Sequence, residues 1–219
     1  MSVIRSSLAL VTVVACLNDA RGNEPVKFGE RVGKLSFTDI RYLHRTLDDF
    51  GTKKAYVLVF TNTSCPIVER YLPTLQALET EYRGKDVQFV ALNCADDDSI
   101  LALATQAVQH DMEFPFVKDN DAACARALGV RRTPEVVVLD GEKRLRYRGR
   151  IDDQYRLGGV RKEPTSRDLK NAIEAVLAGR KIETPETEVD GCLITFPKAR
   201  KPREVNYVEH AAPILKKHC

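Results

Sequence analysis

Three runs of mostly apolar residues along the chain predict buried β-strands. They cover residues 56–60, 87–92 and 135–139 and are rich in branched and aromatic side chains. Continuous runs of this length are typical of strands covered on both faces, because a strand with one wet face alternates instead. Residues 145–148 do alternate, directly after an Asp140-Gly141 turn signal. That pattern predicts an antiparallel hairpin.

The segments between these strands have helical spacing. Leu72, Leu75, Leu78 and Tyr82 recur at helical intervals, which predicts a helix over residues 66–82. Further helices are predicted at residues 100–109, at 121–128 with Asp121 as its cap, and at 167–178. The order is β-α-β-α-(α)-β-β-α. It predicts an α/β fold with a mixed central sheet and helices on both faces.

Composition and charge exclude several classes of function. The chain has 219 residues, of which 30% are charged, and its net charge is only +3. The basic residues are scattered, so we expect no nucleic-acid partner. The four histidines form no ligand spacing with cysteines or acids, so we predict neither a metal nor another cofactor.

The N-terminus reads as a secretory signal. Arg5 precedes about ten mostly apolar residues, a run too short to span a bilayer, and small residues at Ala20 and Gly22 offer a cleavage site. We therefore expect export, to the periplasm or cell envelope, and no membrane span. The alternative is a lipid anchor at Cys16, because residues 13–16 loosely resemble a lipobox.

Cys65 is the strongest candidate for chemistry. The segment Ser64-Cys65-Pro66 follows a buried strand and opens a helix. Unpaired N–H groups and the positive end of the helix dipole favour a thiolate there, and such sites have a pKa of about 3.5–7.5. The alternative is an inert core cysteine.

A lone thiolate needs a second thiol for turnover. Of the six cysteines, Cys192 is the first choice because it lies in an irregular tail able to fold back over the site. Cys94, which follows the second strand, is the second choice. Cys124 lies within a predicted helix and is expected to be a small buried hydrophobe.

Two prolines carry a family resemblance. Pro73 lies eight residues after Cys65, and Pro134 directly precedes the third strand. Residues 128–141 resemble the cis-proline loop and hairpin of the thioredoxin superfamily. With residues 148–153 and the helical stretch at 98–112, the chain is most similar to redoxin domains of the alkyl hydroperoxide reductase/thiol-specific antioxidant (AhpC/TSA) group, over about residues 30–180.

The resemblance implies a thioredoxin-like fold and an extracytoplasmic thiol oxidoreductase that reduces disulfides or peroxides, as antioxidant proteins of this group do. It implies that Cys65 attacks a disulfide protein partner or a peroxide, and that Cys192 or Cys94 resolves the adduct. It also implies substrate contacts from Ser64, Pro66, Thr133 and Pro134, with the peptide bond before Pro134 in the cis form.

The chain departs from the family at the site itself. Val68 replaces the second cysteine of a C-x-x-C motif, and Val59 replaces the buried acid that assists it. The peroxidatic pattern requires Pro and Thr at two positions that here hold Leu58 and Asn62. These departures motivate the alternative hypothesis of a redox-inactive docking module attached to an electron-transfer domain.

The last segment resembles the opening of a c-type cytochrome domain, in which a short helix runs into C-x-x-C-H. The sequence stops at Cys219, before the second cysteine and the axial histidine, so we expect no haem in this chain and a cytochrome-type domain in longer relatives. The predicted organisation is a signal peptide (1–22), a redoxin domain (23–180), a tail with Cys192 (181–205) and the truncated cytochrome-like start (206–219).

Overall fold

The computed structural model describes residues 24–156, 158–197 and 206–218. Its strands are β1 (Ser36–Asp39), β2 (His44–Thr46), β3 (Ala55–Thr61), β4 (Val87–Asn93), β5 (Phe116–Lys118), β6 (Arg132–Thr133), β7 (Glu135–Asp140), β8 (Leu145–Gly149), β9 (Tyr155–Arg156), β10 (Gly159–Val160) and β11 (Cys192–Leu193). Its α-helices are α1 (Pro66–Arg83), α2 (Ile100–Gln109), α3 (Ala123–Leu128), α4 (Asp168–Leu177) and α5 (Ala212–His218).

Seven strands form one mixed sheet in the order β2-β1-β5-β4-β3-β7-β8. Strands β3, β4 and β5 are parallel, and the remaining neighbours pair antiparallel. The three predicted central strands and the hairpin are therefore confirmed. Strand β5 joins the parallel part of the sheet by pairing with β4.

The core lies on both faces of this sheet because its central strands are buried on both sides. In β3, Val57 and Val59 point into one apolar cluster, whereas Leu58 and Phe60 point into the other. Helices α1 and α4 supply the first cluster and α3 supplies the second. This arrangement confirms the predicted α/β class with helices on both faces.

The cap predicted for the third helix is wrong. Asp119, not Asp121, accepts the N–H groups of Cys124 and Ala125, at 2.8 and 2.9 Å. Asp121 instead has a positive φ of 56°, so it lies in the turn before the helix. Asp119 reaches these groups because the chain turns sharply between β5 and α3. Helix α2 is capped by Ser99, whose hydroxyl accepts the N–H of Ala102 at 3.1 Å.

Candidate redox site

Cys65 lies at the junction of the central strand β3 and the first helix. It is the N-cap of α1 and has an extended backbone, and Pro66 is the first helical residue. Proline suits that position because its missing N–H would have no helical partner there. The side chain of Asn62 accepts the Cys65 N–H at 2.7 Å, which holds the turn in place.

The proline loop faces this cysteine. The Thr133–Pro134 peptide bond is cis, and the Thr133 carbonyl oxygen accepts the Cys65 thiol at 3.4 Å. Glu135 follows in β7, and its carboxylate accepts the N–H groups of Arg131 and Arg132 at 2.9 and 3.1 Å. Burial raises the pKa of Glu135 despite these two hydrogen bonds. The loop is thus fixed from both of its ends.

Residues 181–197, which we call the C-terminal arm, cover the site. The arm first pairs with the outer edge of the sheet, where the Arg148 N–H donates to the Pro185 carbonyl at 2.9 Å. The Thr187 hydroxyl then accepts the Arg150 N–H at 3.0 Å. Finally β11 pairs antiparallel with β6, so that Cys192 lies opposite Thr133.

Gly191 allows the last step of this path. A Cβ atom at this position would collide with the Thr133 carbonyl group. Glycine therefore permits the arm to pass directly over the loop before Pro134. The Arg132 guanidinium strengthens the contact by donating to the Gly191 carbonyl at 2.8 Å.

The arm brings two sulfur atoms together. The Cys192 thiol donates to the Cys65 sulfur at 2.7 Å, although the two residues are 127 positions apart in sequence. Cys65 is 0% exposed beneath the arm, whereas Cys192 is half-buried. Two thiols this close, on elements held by backbone hydrogen bonds, are positioned to form a disulfide without rearrangement of the fold.

The two thiols differ in acidity. Burial pushes the pKa of Cys65 upward, but the Cys192 thiol donor and backbone groups, which include those of Val68 and Ile67, outweigh burial and lower it. For Cys192, burial and the hydrogen bond to Cys65 raise the pKa to about 11. Cys65 is therefore the thiol that ionises first, and Cys192 is its proton-bearing partner.

A polar network supports the turn before Cys65. The Asp98 carboxylate accepts the Thr63 N–H at 2.7 Å and the Asn93 side-chain amide at 2.6 Å. Lys118 donates to the Asp98 carbonyl at 2.7 Å. Asp98 therefore ties the loop after β4 to the loop that carries Cys65. Burial opposes ionisation of Asp98, but these hydrogen bonds lower its pKa.

The structure does not bring Cys94 to Cys65, contrary to its position as second candidate. Cys94 belongs to the apolar cluster on the opposite sheet face from Cys65 and donates to the Thr61 carbonyl at 3.4 Å. Burial and then the charge of Asp119 raise the pKa of Cys94 to about 12. Cys124 is buried in the same cluster, and its pKa is also raised, chiefly by burial.

The other sequence candidates divide into two groups. Thr133 and Pro134 are buried against the thiol pair, and the Thr133 hydroxyl has no hydrogen-bond partner among the described atoms. Ser64 and Pro66 are exposed on the rim. Sequence reasoning missed Asn62, Asp98 and Gly191. The available signals were an amide three residues before Cys65 and a glycine directly before Cys192.

Within residues 24–156, 158–197 and 206–218, no three histidine, cysteine or acidic side chains gather as metal ligands would. In the same residues, no helix has the length and apolar character needed to cross a bilayer. The predicted signal peptide and the Cys16 anchor lie outside the described residues, as does Cys219.

The sequence and the fold are similar to those of known proteins. Residues 44–163, more than half of the chain, match the family described as Redoxin. The chain belongs to the Redoxin family. Its fold is thioredoxin-like, and the resemblance noted in the sequence is confirmed at this level.

Relatives of this Redoxin chain include the thiol-disulfide oxidoreductase ResA of Bacillus thuringiensis subsp. konkukian, 26% identical over 117 residues. The match covers 53% of this chain and 66% of the relative, slightly less than two thirds of its length. ResA of Halalkalibacterium halodurans is 28% identical over 87 residues, which cover 40% of this chain and 48% of that protein.

Solved structures of similar shape include a hypothetical protein from Sinorhizobium meliloti 1021. It is 28% identical with a TM-score of 0.71, covering 80% of this chain and 97% of that one. An uncharacterized conserved protein from Geobacillus kaustophilus is 25% identical with a TM-score of 0.72. That match covers 81% of this chain and 96% of the other. A putative thiol:disulfide interchange protein DsbE from Chlorobium tepidum, 19% identical over 69% of this chain and 99% of its own, with a TM-score of 0.56, shares the fold.

Proposed function

We propose that this Redoxin-family chain is an extracytoplasmic thiol–disulfide oxidoreductase whose redox pair is Cys65 and Cys192. The observation that carries the proposal is the 2.7 Å separation of the two sulfur atoms. Their pKa values move in opposite directions, which supports Cys65 as nucleophile and Cys192 as resolving thiol. The curated relatives named thiol-disulfide oxidoreductase ResA support the same reaction class.

The first step is attack by the Cys65 thiolate on one sulfur of a substrate disulfide. A Cys65–substrate bond forms, the substrate S–S bond breaks, and the other substrate sulfur leaves as a thiolate. Since Cys65 is 0% exposed, the substrate reaches it only when β11 separates from β6. The β11–β6 ladder has only two residue pairs, so this displacement is local.

The second step resolves the adduct. While β11 is still separated from β6, Cys192 loses its proton to solvent or to the departed thiolate, and its sulfur attacks the Cys65 sulfur from the side opposite the bound substrate. The Cys65–Cys192 disulfide forms and the second substrate sulfur leaves, so the substrate gains two electrons. Thr133 and Pro134 line the loop against which the incoming sulfur is held, with the carbonyl of Thr133 3.4 Å from the Cys65 sulfur.

We favour a disulfide over a peroxide as substrate because of position 62. The peroxidatic pattern would place a threonine hydroxyl there, whereas Asn62 uses its side-chain oxygen to accept the Cys65 N–H. Leu58 lies in the opposite core cluster and also breaks the pattern. The activity test therefore measures hydrogen peroxide reduction, the antioxidant reaction, separately from disulfide reduction.

The docking-module hypothesis depends on Cys65 having no partner. The position of Cys192 argues against it, because a purely structural cysteine has no need of an apposed thiol on a separate arm.

For residues 206–219 we also propose the start of a cytochrome-type partner domain. The tail at residues 181–205 would attach it to the redoxin domain. Within residues 206–219, only a helical turn at Tyr207–Ala211 and α5 are described.

Extracytoplasmic location is proposed from the N-terminal pattern, with cleavage after residue 22 or lipidation at Cys16 as the two routes. Intact mass of the chain purified from cells that export it distinguishes them. Loss of residues 1–22 supports cleavage, whereas a diacylglyceryl group on Cys16 supports the anchor. A chain that keeps its N-terminus in the cytoplasm would contradict export.

The activity test compares Cys65→Ala and Cys192→Ala with Cys94→Ala. Reduction of insulin disulfides and of hydrogen peroxide is measured with dithiothreitol as donor. We expect Cys65→Ala to lose at least about a thousandfold in insulin turnover, because the nucleophile is gone. Cys192→Ala should accumulate mixed disulfides on Cys65, and Cys94→Ala should match wild type. Peroxide turnover without insulin turnover would replace the proposed substrate. A wild-type chain that turns over neither insulin nor peroxide would favour docking.

A further inference from the structure

We infer that an external thiol opens the Cys65–Cys192 disulfide at the sulfur of Cys192, so that the electron donor is held on the C-terminal arm and not on helix α1. This inference rests on the proposed function, since it concerns how the oxidised pair is reduced. It makes Cys192 the entry point for electrons and a reacting group in both halves of the cycle.

The first argument is access. Thiolate attack on a disulfide occurs along the S–S axis, from the side opposite the bond that breaks. An attack on Cys65 would have to approach from the side away from Cys192, where Cys65 is 0% exposed and belongs to the core cluster with Val68 and Tyr71. Cys192 is half-buried, and its neighbour Leu193 is 70% exposed. The open side of the disulfide is therefore the arm.

The second argument is the leaving group. Attack on Cys192 expels Cys65 as a thiolate at the N-terminus of α1, where backbone groups of Ile67 and Val68 stabilise the charge. Attack on Cys65 would expel Cys192, whose thiol has a pKa raised to about 11. A thiol of lower pKa leaves faster, so the electrostatics of the pair favour the same sulfur as access does.

The third argument is the local charge. The Arg132 guanidinium donates to the carbonyl of Gly191, directly before Cys192. Its positive charge also acts on the Cys192 thiol, lowering the pKa that burial and Cys65 raise. A cation beside the attacked sulfur draws in an anionic thiolate.

The electron balance is complete with a dithiol donor. The donor thiolate bonds to the Cys192 sulfur, the Cys65–Cys192 bond breaks, and Cys65 leaves as thiolate. The second donor thiol then attacks the donor sulfur of the mixed disulfide. Cys192 leaves as a thiolate and takes a proton, and the donor carries away its own disulfide. With a monothiol donor, the first step leaves a mixed disulfide on Cys192, which lasts until a second donor thiol or Cys65 attacks it. Trapping this adduct at short times makes the inference testable.

The test uses the full-length oxidised wild-type chain and reduced glutathione as the probe. The reaction is quenched with N-ethylmaleimide at short times, and the modified cysteines are located by peptide mass mapping. We expect most trapped chains to carry glutathione on Cys192 and maleimide on Cys65. Chains with glutathione on Cys65 and maleimide on Cys192 should be about tenfold rarer or less.

Glutathione on Cys65 with maleimide on Cys192, or an even mixture of the two patterns, would overturn this inference and leave the proposed function intact. A chain that forms no Cys65–Cys192 disulfide would overturn both. Since the wild-type chain is used throughout, no outcome depends on the folding of a variant. A low-salt repeat adds a second readout, because attraction by Arg132 predicts faster formation of the Cys192 adduct at lower ionic strength.

Discussion

Cys65 and Cys94 occupy comparable places and have opposite properties. Each follows a central parallel strand, each is almost fully buried, and each thiol donates to a backbone carbonyl at 3.4 Å. Yet the pKa of Cys65 is lowered, whereas that of Cys94 is raised to about 12. Burial and a carbonyl acceptor therefore do not distinguish a reactive thiol from an inert one.

The difference lies in what else surrounds each sulfur. Cys65 receives a thiol donor and the N–H groups at the start of an eighteen-residue helix. Cys94 faces the carboxylates of Asp119 and Asp98, and Lys118 offsets them only in part. The comparison teaches that hydrogen-bond donors aimed at a sulfur can outweigh burial, whereas burial and nearby negative charge raise the pKa of a thiol that lacks them.

Among the variants that keep both sulfur atoms, the largest effect is expected when the arm that carries Cys192 is displaced. Gly191→Ala places a Cβ against the Thr133 carbonyl, which displaces the arm and takes the Cys192 thiol away from Cys65. We expect disulfide formation between Cys65 and Cys192 to slow by about a hundredfold, since a small misplacement of reacting atoms has this effect. Stopped-flow oxidation measures the rate.

The matched control for this variant is Gly159→Ala. No atom lies within 4 Å of a Cβ built at Gly159, and its φ is not positive. Its oxidation rate should equal that of wild type. Equal rates for Gly191→Ala and wild type would show that the arm does not depend on the close approach at Thr133.

The next effect concerns the link between the two cysteine-bearing loops. Asp98→Ala removes the acceptor of Thr63 and of Asn93, so we expect a loss of about 2 kcal/mol in the free energy of unfolding. The exposed neighbour Asp97 is the control, and Asp97→Ala should change stability by less than about 0.5 kcal/mol. Urea denaturation measures both. Equal stabilities would contradict the proposed bracing of the Cys65 turn.

A smaller effect is expected in alkali. The folded-state pKa of Cys94 is raised from 9.0 to about 12, so its contribution to stability is complete below 9.0 and is lost as pH rises toward 12. At about pH 10 the loss attributable to Cys94 should be roughly 1 kcal/mol. Reduced wild type should therefore lose that much more than Cys94→Ala between about pH 7 and pH 10. Identical losses would mean that the surroundings of Cys94 do not raise its pKa.

The smallest effect is a change of acidity within the pair. Cys192→Ala removes the thiol that donates to Cys65, so the pKa of Cys65 should rise toward its ordinary value. The Cys65 thiolate, followed by ultraviolet absorbance, then forms at higher pH than in wild type. Cys94→Ala should leave the midpoint unchanged. A midpoint that falls in Cys192→Ala would mean that Cys192 opposes ionisation of its neighbour.

Local sequence patterns predicted the parts of the structure that depend on local contacts. The apolar run of β3, the alternation of β8 and the position of Pro66 all depend on neighbours a few residues away. Thr133 and Pro134 came from a family resemblance, which matched the site geometry later described. The choice of Cys192 as first partner rested on its position in an irregular tail.

The features that sequence did not predict depend on distant contacts. Asp98 reaches Thr63 across 35 positions, and β11 meets β6 across the whole length of α4 and the arm. The sheet face taken by Cys94 depends on where the loop after β4 turns. The wrong cap at Asp121 is an exception, because Asp119 lies only five and six positions before the residues whose N–H groups it accepts; the error comes from the sharp turn between β5 and α3.

Disulfide mapping of the mildly oxidised full-length chain tests the account most directly. The chain is oxidised with diamide, digested without reduction, and its linked peptides are identified by mass spectrometry. The account predicts a Cys65–Cys192 link that dithiothreitol reverses, with Cys94 remaining a thiol. A Cys65 that stays reduced, or one joined to Cys94, would contradict it.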